Sequence, residues 1–329
     1  MSTNGSMTRS SRDTKKLLSI QSHVVHGYVG NRAATFPLQV LGWDVDALNT
    51  VQFSNHPAYG KFKGQKCPPE TLREIHEGLI DIKVQYDAVL TGYIPGDDGL
   101  EIVSQICTSL CQRGIKWILD PVLGDNGRIY VSEGNIKIYK NILMSGDVHT
   151  VTPNQLELEV LSGVKVDSLE SLKTAITAFN HQYPVKNTIV TSVELADDTN
   201  SLYSAGSLYT ADGILRSFYF KVPRIRAGFS GSGDLFSAIL TSAIMKYDDR
   251  QDSEITETTA LEDISLVHAL NEALSVVEKV LLLTFDYEVR AYKEKGVPLP
   301  VDVKINDLKL IQGRRYYEID MGHFEPNAL

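Results

Sequence analysis

Basic residues are in deficit here, with 32 Lys and Arg against 41 Asp and Glu and a formal net charge of −9. That balance argues against a general nucleic-acid or anionic-membrane binder. It leaves phosphate ligands open, because backbone N–H groups and bound cations commonly hold them. Long apolar runs are missing too. No uncharged stretch approaches the roughly 20 residues of a membrane-spanning helix. The densest, Val276 to Phe285, carries Glu278 and Lys279 and reads as a packed helix. Cysteine is scarce, and Cys67, Cys107 and Cys111 are too few for a disulfide framework. Cys107 and Cys111 lie four apart on a helical pattern with no other zinc ligand in that segment, so they read as buried thiols. A reducing, cytoplasmic setting is the expectation. Residues 1–16 are rich in Ser, Thr, Arg and Lys and lack an apolar core, which excludes a secretory signal and reads as a disordered tail.

What is present is ample core material, 43% hydrophobic against 22% charged residues in a chain of 329. Short apolar runs at 16–21, 45–50, 88–91, 115–120 and 187–191 are bounded by Gly, Pro or Asp and rich in branched side chains, and read as buried strands. Amphipathic stretches at 31–41, 69–83, 100–113 and 169–182 lie between them. Such alternation predicts a mainly parallel sheet covered on both faces. After Thr191 the rhythm changes. Residues 201–210 and 214–222 alternate around the turn Ala211-Asp212-Gly213, which predicts a hairpin. Helices at 232–246 and 261–284 follow, with no further strong strand, and the charged stretch 248–259 reads as an exposed loop. No internal repeat or low-complexity linker divides the chain.

Open parallel sheets bind ligands at the carboxyl ends of their strands. The sharpest feature at such a place is Phe229-Ser230-Gly231-Ser232-Gly233-Asp234, running into an apolar helix. Two glycines let the backbone approach a ligand, and the helix start aims free N–H groups and the positive dipole end at it. Asp234 could accept a proton from an attacking hydroxyl there; the same run also reads as an ordinary helix start capped by Asp. There is no Walker A loop, which needs Gly-Lys-Ser/Thr. Asp120-Pro121-Val122-Leu123-Gly124-Asp125 sets two carboxylates on a strand-end loop, either for a phosphate-bridging cation or as an Asp-Pro turn with a solvated second Asp. In Thr152-Pro153-Asn154-Gln155-Leu156-Glu157, Thr152 could cap a helix with Pro153 at its first position, setting Asn154 and Glu157 on one face.

Gly231-Ser232-Gly233-Asp234 resembles the Gly-x-Gly-Asp signature of the ribokinase-like superfamily. Within it, the run from Ser19 through Ser22, Gly27, Gly30 and Asn31 to Ala34 looks like the amino-terminal motif of pyridoxal kinases. So do Val51-Gln52-Phe53-Ser54-Asn55-His56, Thr91-Gly92-Tyr93 and the Asp120 and Thr152 segments, in the expected order. The resemblance implies a three-layer αβα sandwich with a mainly parallel central sheet, as a single kinase domain over 17–329. It implies ATP-dependent phosphorylation of the 5′-hydroxymethyl group of pyridoxal, pyridoxine and pyridoxamine, with Mg²⁺, an activating K⁺ or Na⁺, and a homodimer without nucleic-acid or membrane partners.

The roles it implies fall on individual positions. Asp234 is the expected base, with Gly231, Ser232 and Gly233 as the anion hole. Ser22, Val29, His56, Pro57 and Tyr93 are expected around the pyridoxal ring. Asp125 assists Mg²⁺, and Asp120, Thr152, Glu157 and Thr191 lie around the phosphates and monovalent cation. Asn154 and Ser192 meet ATP phosphates, and Ile225 and Phe229 cover the nucleotide. Two features depart from the family pattern. Pro57 stands where a Thr or Ser hydroxyl is usual, removing a contact of about 0.5–1.5 kcal/mol. The flap after Asp125 is also short, with Asn126-Gly127-Arg128 before Ile129. A hydroxymethylpyrimidine kinase of the same superfamily, or a non-catalytic vitamin B6 or nucleotide-binding homologue, are the alternatives.

Overall fold

Neighbouring residues of the central strands belong to different cores, and this period of two sets the architecture. In a computed structural model, residues 14–125, 127–247, 255–318 and 322–329 are described. Leu18 and Ile20 of β1 (Lys16–Val24) enter one apolar cluster, while Leu17 enters another. Between β1 and β2 (Asp44–Phe53) runs α1 (Asn31–Val40), and after the short edge strand β3 (Gly64–Lys66) come α2 (Pro69–Asp81) and β4 (Ala88–Thr91). Val89 faces the first cluster, Leu90 the other. The pattern repeats through α3 (Asp97–Cys111) and β5 (Lys116–Leu119), where Trp117 and Leu119 face one side and Ile118 the opposite one.

A small ribbon of β6 (Gly124–Asp125) and β7 (Arg128–Ile129) precedes α4 (Glu133–Met144), β8 (Val148–Val151), α5 (Gln155–Ser162) and α6 (Leu169–Gln182). Then β9 (Asn187–Leu195), β10 (Asp198–Tyr209) and β11 (Leu215–Pro223) form antiparallel neighbours. The chain ends with β12 (Ala227–Phe229), α7 (Ser232–Tyr247), α8 (Ser265–Glu294), β13 (Val303–Ile305) and β14 (Asn327–Ala328). Helices α2 to α6 bury their apolar stripes with the first cluster, and α1, α7 and α8 cover the opposite face. The three layers match the αβα expectation.

The ten strands run in the order β14-β11-β10-β9-β8-β5-β4-β1-β2-β3, parallel from β9 to β2. From β1 the chain moves outward to β2, then crosses back to β4 on the other side of β1. That reversal opens a crevice at the carboxyl ends of β1 and β4, where ligands bind in open α/β sheets.

Several expectations shift. Three short strands, β12 to β14, follow the hairpin where none was expected. The helix expected at 261–284 is a 3₁₀ turn at Leu261–Asp263 followed by α8, because Ile264 is extended (φ −88°, ψ 121°) and breaks the run. Thr152 does not cap α5. Its N–H donates to Leu119 O (3.0 Å), and Thr191 N–H donates to Pro153 O (3.0 Å), so this pair continues the carboxyl end of β8 and Asn154 becomes the cap. Of the amino-terminal tail only residues from 14 are described, and Lys15 Nζ donates to Met245 O (2.7 Å). The acidic stretch 248–254 lies outside the described residues.

Candidate functional site

β1 carries a bulge, with its register on β2 slipping between Gln21 and His23, and this frees Ser22 from the ladder. The chain then turns through 25–30 into α1. Gly30 holds this turn together, at φ +53° with its Cα against Ser22, where a Cβ would stand 2.1 Å from Ser22 O. Its N–H is turned towards the Asp234 carboxylate, whose pKa it lowers. Gly231 closes the contact from the other side, at φ +83°, and a Cβ there would stand 2.0 Å from Tyr28 O and 3.5 Å from Val29 Cγ1. The loop after β1 and the Gly-Ser-Gly-Asp turn thus touch backbone to backbone.

Asp234 is not the cap of α7. Leu235 N–H donates to Gly231 O (3.0 Å), so Gly231 occupies the cap and Asp234 is the third helical residue, its side chain engaged by Gly30 instead. Burial raises its carboxyl from the ordinary 3.8 to about 6, against the lowering effect of that N–H. One turn along α7, Ser237 Oγ donates to Asp120 Oδ2 (3.3 Å) at the end of β5. Asp120 is pushed upward by burial first and by the charge of Asp234 second. Glu157, buried on α5, is raised by burial and then by Asp120.

Glu157 also builds the loop. Its Oε1 accepts from Leu123 N (2.8 Å), its Oε2 accepts from Asn154 N (2.8 Å), and Asn154 Oδ1 accepts from Glu157 N (3.0 Å) in a capping box. Asn154 Nδ2 donates to Gly124 O (2.7 Å), fastening the base of the β6–β7 ribbon. The side chains expected at the phosphates thus also hold the flap in place. Asp125 lies on that ribbon opposite Arg128; Asn126 lies outside the described residues. Tyr130, absent from the sequence-based assignment, has its hydroxyl pushed upward by burial first and then by the charges of Glu157, Asp125, Asp120 and Asp234, although its ring is largely exposed. Only its position just past the flap could have marked it.

The remaining assignments distribute around this centre. Ser192 has φ +55°, unusual for a residue with a side chain, and is exposed next to Thr191, which bridges Asn154. Ile225 and Phe229 are half-buried, Phe229 at the end of β12 directly before Ser230-Gly231. His56 is buried and caps the 3₁₀ turn Pro57–Tyr59 through Nδ1, which accepts from Ala58 N (3.3 Å). Pro57 is the first residue of that turn, where a missing N–H costs nothing. Tyr93 follows β4, its carbonyl accepting from Thr50 Oγ1 (2.9 Å), and burial raises its hydroxyl. No group of three or more His, Cys, Asp or Glu among the described residues could hold a metal ion by itself. A groove of about 560 Å³ lined by Lys116, Asp147 and His149 lies at the opposite, amino-terminal ends of the strands.

Fold and site together define a kinase of the ribokinase-like class, and the phosphomethylpyrimidine kinase family model matches residues 45–261. Among individual relatives, the Saccharomyces cerevisiae protein BUD17 is 44% identical over 96% of this chain and 96% of its own. Pyridoxal kinase of Homo sapiens is 35% identical over 92% of this chain and 95% of its own. The structure of pyridoxal kinase from Leishmania donovani in complex with ADP and ginkgotoxin superposes with a TM-score of 0.79 at 30% identity, covering 96% of this chain and 99% of that one. The chain belongs to the pyridoxal kinase family.

Proposed function

We propose that this chain is a pyridoxal kinase, a single kinase domain over 17–329 that transfers the γ-phosphoryl group of ATP to the 5′-hydroxymethyl group of pyridoxal, pyridoxine and pyridoxamine. The observation that carries the reading is Asp234, a carboxylate with its pKa near 6, set beside Gly30 in the first turn of α7, where a helix directs N–H groups at an anion. The 5′-oxygen attacks the γ-phosphorus, its proton passes to Asp234, and the bond to the β–γ bridging oxygen breaks to release ADP. At neutral pH Asp234 is ionised and ready to take that proton, and such assistance supplies about 10²–10⁴ in rate. Positioning by the 25–30 loop and the charge complement of the anion hole carry much of the rest.

Glu157 is buried and Asp120 and Asp234 are half-buried, and each of the first two is pushed upward by a neighbouring carboxylate, Glu157 by Asp120 and Asp120 by Asp234. A cation would relieve that repulsion, so the residues fit both Mg²⁺ and a monovalent ion such as K⁺ or Na⁺. Asp125 and Asp120 offer one or two carboxylates for Mg²⁺, with phosphate oxygens and water completing its shell. Bound there, Mg²⁺ supplies charge neutralisation on the phosphates. Thr152, Thr191 and Glu157 border the monovalent ion, and Asn154 and Ser192 meet the phosphates. Ser22, Val29, His56 and Tyr93 wall the ring. A homodimer follows from family membership, and the free Cys67, Cys107 and Cys111 suit the reducing cytoplasm.

ADP release coupled to pyridoxal, with Asp234→Asn as the control, tests this reading. Turnover that depends on pyridoxal and vanishes in the variant supports it, and no pyridoxal-dependent turnover refutes it. The family model favours one second reading, a hydroxymethylpyrimidine kinase. A higher kcat/KM on that alcohol than on pyridoxal would select it.

A further inference from the structure

The carboxyl-terminal segment reaches the ring end of the crevice through residues outside every motif. β13 lies parallel to β12, pairing Val303 with Ala227 and Ile305 with Phe229, and Ser230 N donates to Ile305 O (3.1 Å). Asn306-Asp307 therefore leaves this ribbon at the same end as Ser230-Gly231. There Asn306 O lies 3.3 Å from His56 Nε2. Asp307 Oδ2 accepts from the Tyr59 hydroxyl and stands 3.8 Å from His26 Nε2. A Cβ on Gly27 would lie 2.8 Å from Asp307 Oδ1. The Tyr59 ring meets His26 and His56 edge-on, with centroids 5.8 and 5.1 Å apart. One carboxylate thus fastens three segments far apart in sequence, namely the loop after β1, the turn after β2 and the chain beyond β13.

The ring of His56 is defined by what these segments supply. Burial lowers its pKa, so it is neutral at pH 7. Nδ1 accepts from Ala58 N, which assigns the proton to Nε2, and Nε2 donates to Asn306 O. Tyr59 belongs to the same turn as Ala58, and Asp307 follows Asn306. If the Tyr59–Asp307 bond is lost, both partners of the His56 ring are freed to move.

We propose that Tyr59 and Asp307 are a positioning pair for the pyridoxal ring, fixing His56 and the 25–30 loop where Pro57 supplies no hydroxyl. This rests on the reading of Ser22, Val29, His56 and Tyr93 as the ring's wall. Neither residue of the pair touches the reacting atoms, so the pair governs vitamin affinity rather than the chemical step. A charge-assisted hydrogen bond is lost in either variant, which sets the expected effect at about ten-fold.

The test is steady-state kinetics on the full chain for Tyr59→Phe, Asp307→Asn, the double variant, and Ser22→Ala as an independent probe of the wall. KM for pyridoxal is expected to rise about ten-fold in each single variant. The kcat and the KM for ATP should stay within about two-fold, and the double variant should be no worse than either single one. An unchanged pyridoxal KM in Tyr59→Phe, with a raised one in Ser22→Ala, refutes the pair and leaves the wall reading standing. An unchanged KM in Ser22→Ala as well removes the wall reading and the pair with it. An equal loss of kcat/KM on both substrates, accompanied by a lower Tm, overturns the pair as a merely structural contact. Should Asp307→Asn fail to fold, Tyr59→Phe carries the test, since it removes one hydroxyl and keeps the ring.

Discussion

Replacing Asp234 with asparagine should move activity and stability in opposite directions. Asparagine keeps the size of the side chain and an oxygen for Gly30 N–H, but it carries no charge and accepts no proton. Loss of the general base lowers kcat by about 10²–10⁴. The stability effect follows from burial, which raises the Asp234 carboxyl from 3.8 to about 6. At 1.36 kcal/mol per unit that is about 3 kcal/mol at most, and partial access to solvent brings the expected cost of the ion to about 1–2 kcal/mol. The sign follows from proton binding. As pH falls, the folded chain takes up this proton near pH 6, before the unfolded chain does so near pH 4. This group therefore makes the native protein more stable as pH drops through that window, and its penalty is fully present above it. Asp234→Asn escapes the penalty, so its Tm should exceed wild type by about 2–5 °C at pH 8 and by nothing near pH 4. Thermal unfolding at both pH values, beside initial rates, measures the two arms. A kcat within ten-fold of wild type refutes the base, and a Tm at pH 8 equal to or below wild type refutes the buried-charge argument. Wild-type kcat/KM should itself fall below about pH 6, as Asp234 becomes protonated.

Gly30→Ala forces a Cβ to within 2.1 Å of Ser22 O at a φ of +53°. It should cost about 1–3 kcal/mol of stability and lower kcat/KM, because the N–H that holds Asp234 moves; a wild-type Tm would refute the contact. Asn154→Ala removes the cap of α5 and the bond to Gly124 O together. It should lower stability by about 1–2 kcal/mol and raise the KM for ATP, and an unaltered Tm by calorimetry would refute the cap. Pro57→Thr supplies the absent hydroxyl at the first position of a 3₁₀ turn that accepts either residue. Pyridoxal KM should fall by about two- to ten-fold, and a raised or constant value would mean that another group already fills the role.

The fold was readable because its determinants are local and periodic. Short continuous apolar runs at 16–21, 88–91 and 115–120 mark strands covered by two layers, and these strands stand where the pattern predicts them. The segments proposed for the phosphates could be picked out for a related reason. The Gly231–Asp234 turn, Asp120 and the Asn154–Glu157 pair are each carried by one short run at a strand end. What such runs do not convey is how a side chain is spent. Asp234 reads first as a helix cap until α7 is seen to start at Ser232, and Thr152 reads as a cap until Asn154 is seen to hold that place. The strands β12 and β13 escaped because three residues give no period, and their pairing spans a long separation in sequence.

The ring side is assembled on a different principle, which accounts for its poor legibility. Its polar fastening joins His26, Tyr59 and Asp307, and the last two are 248 positions apart. No spacing rule relates such residues, and a lone Asp after a short strand carries no signal. The two sides nevertheless share the loop between β1 and α1. Gly27 packs on Asp307 and Gly30 stands beside Asp234, so only Tyr28 and Val29 separate the fastening of the proposed ring wall from that of the proposed base. The two fastenings are separate contacts, so loosening the one at Asp307 is expected to weaken ring binding while Gly30, packed on Ser22, keeps its place beside Asp234. The Tyr59–Asp307 contact anchors the ring end of that loop, beside Pro57, which carries no hydroxyl.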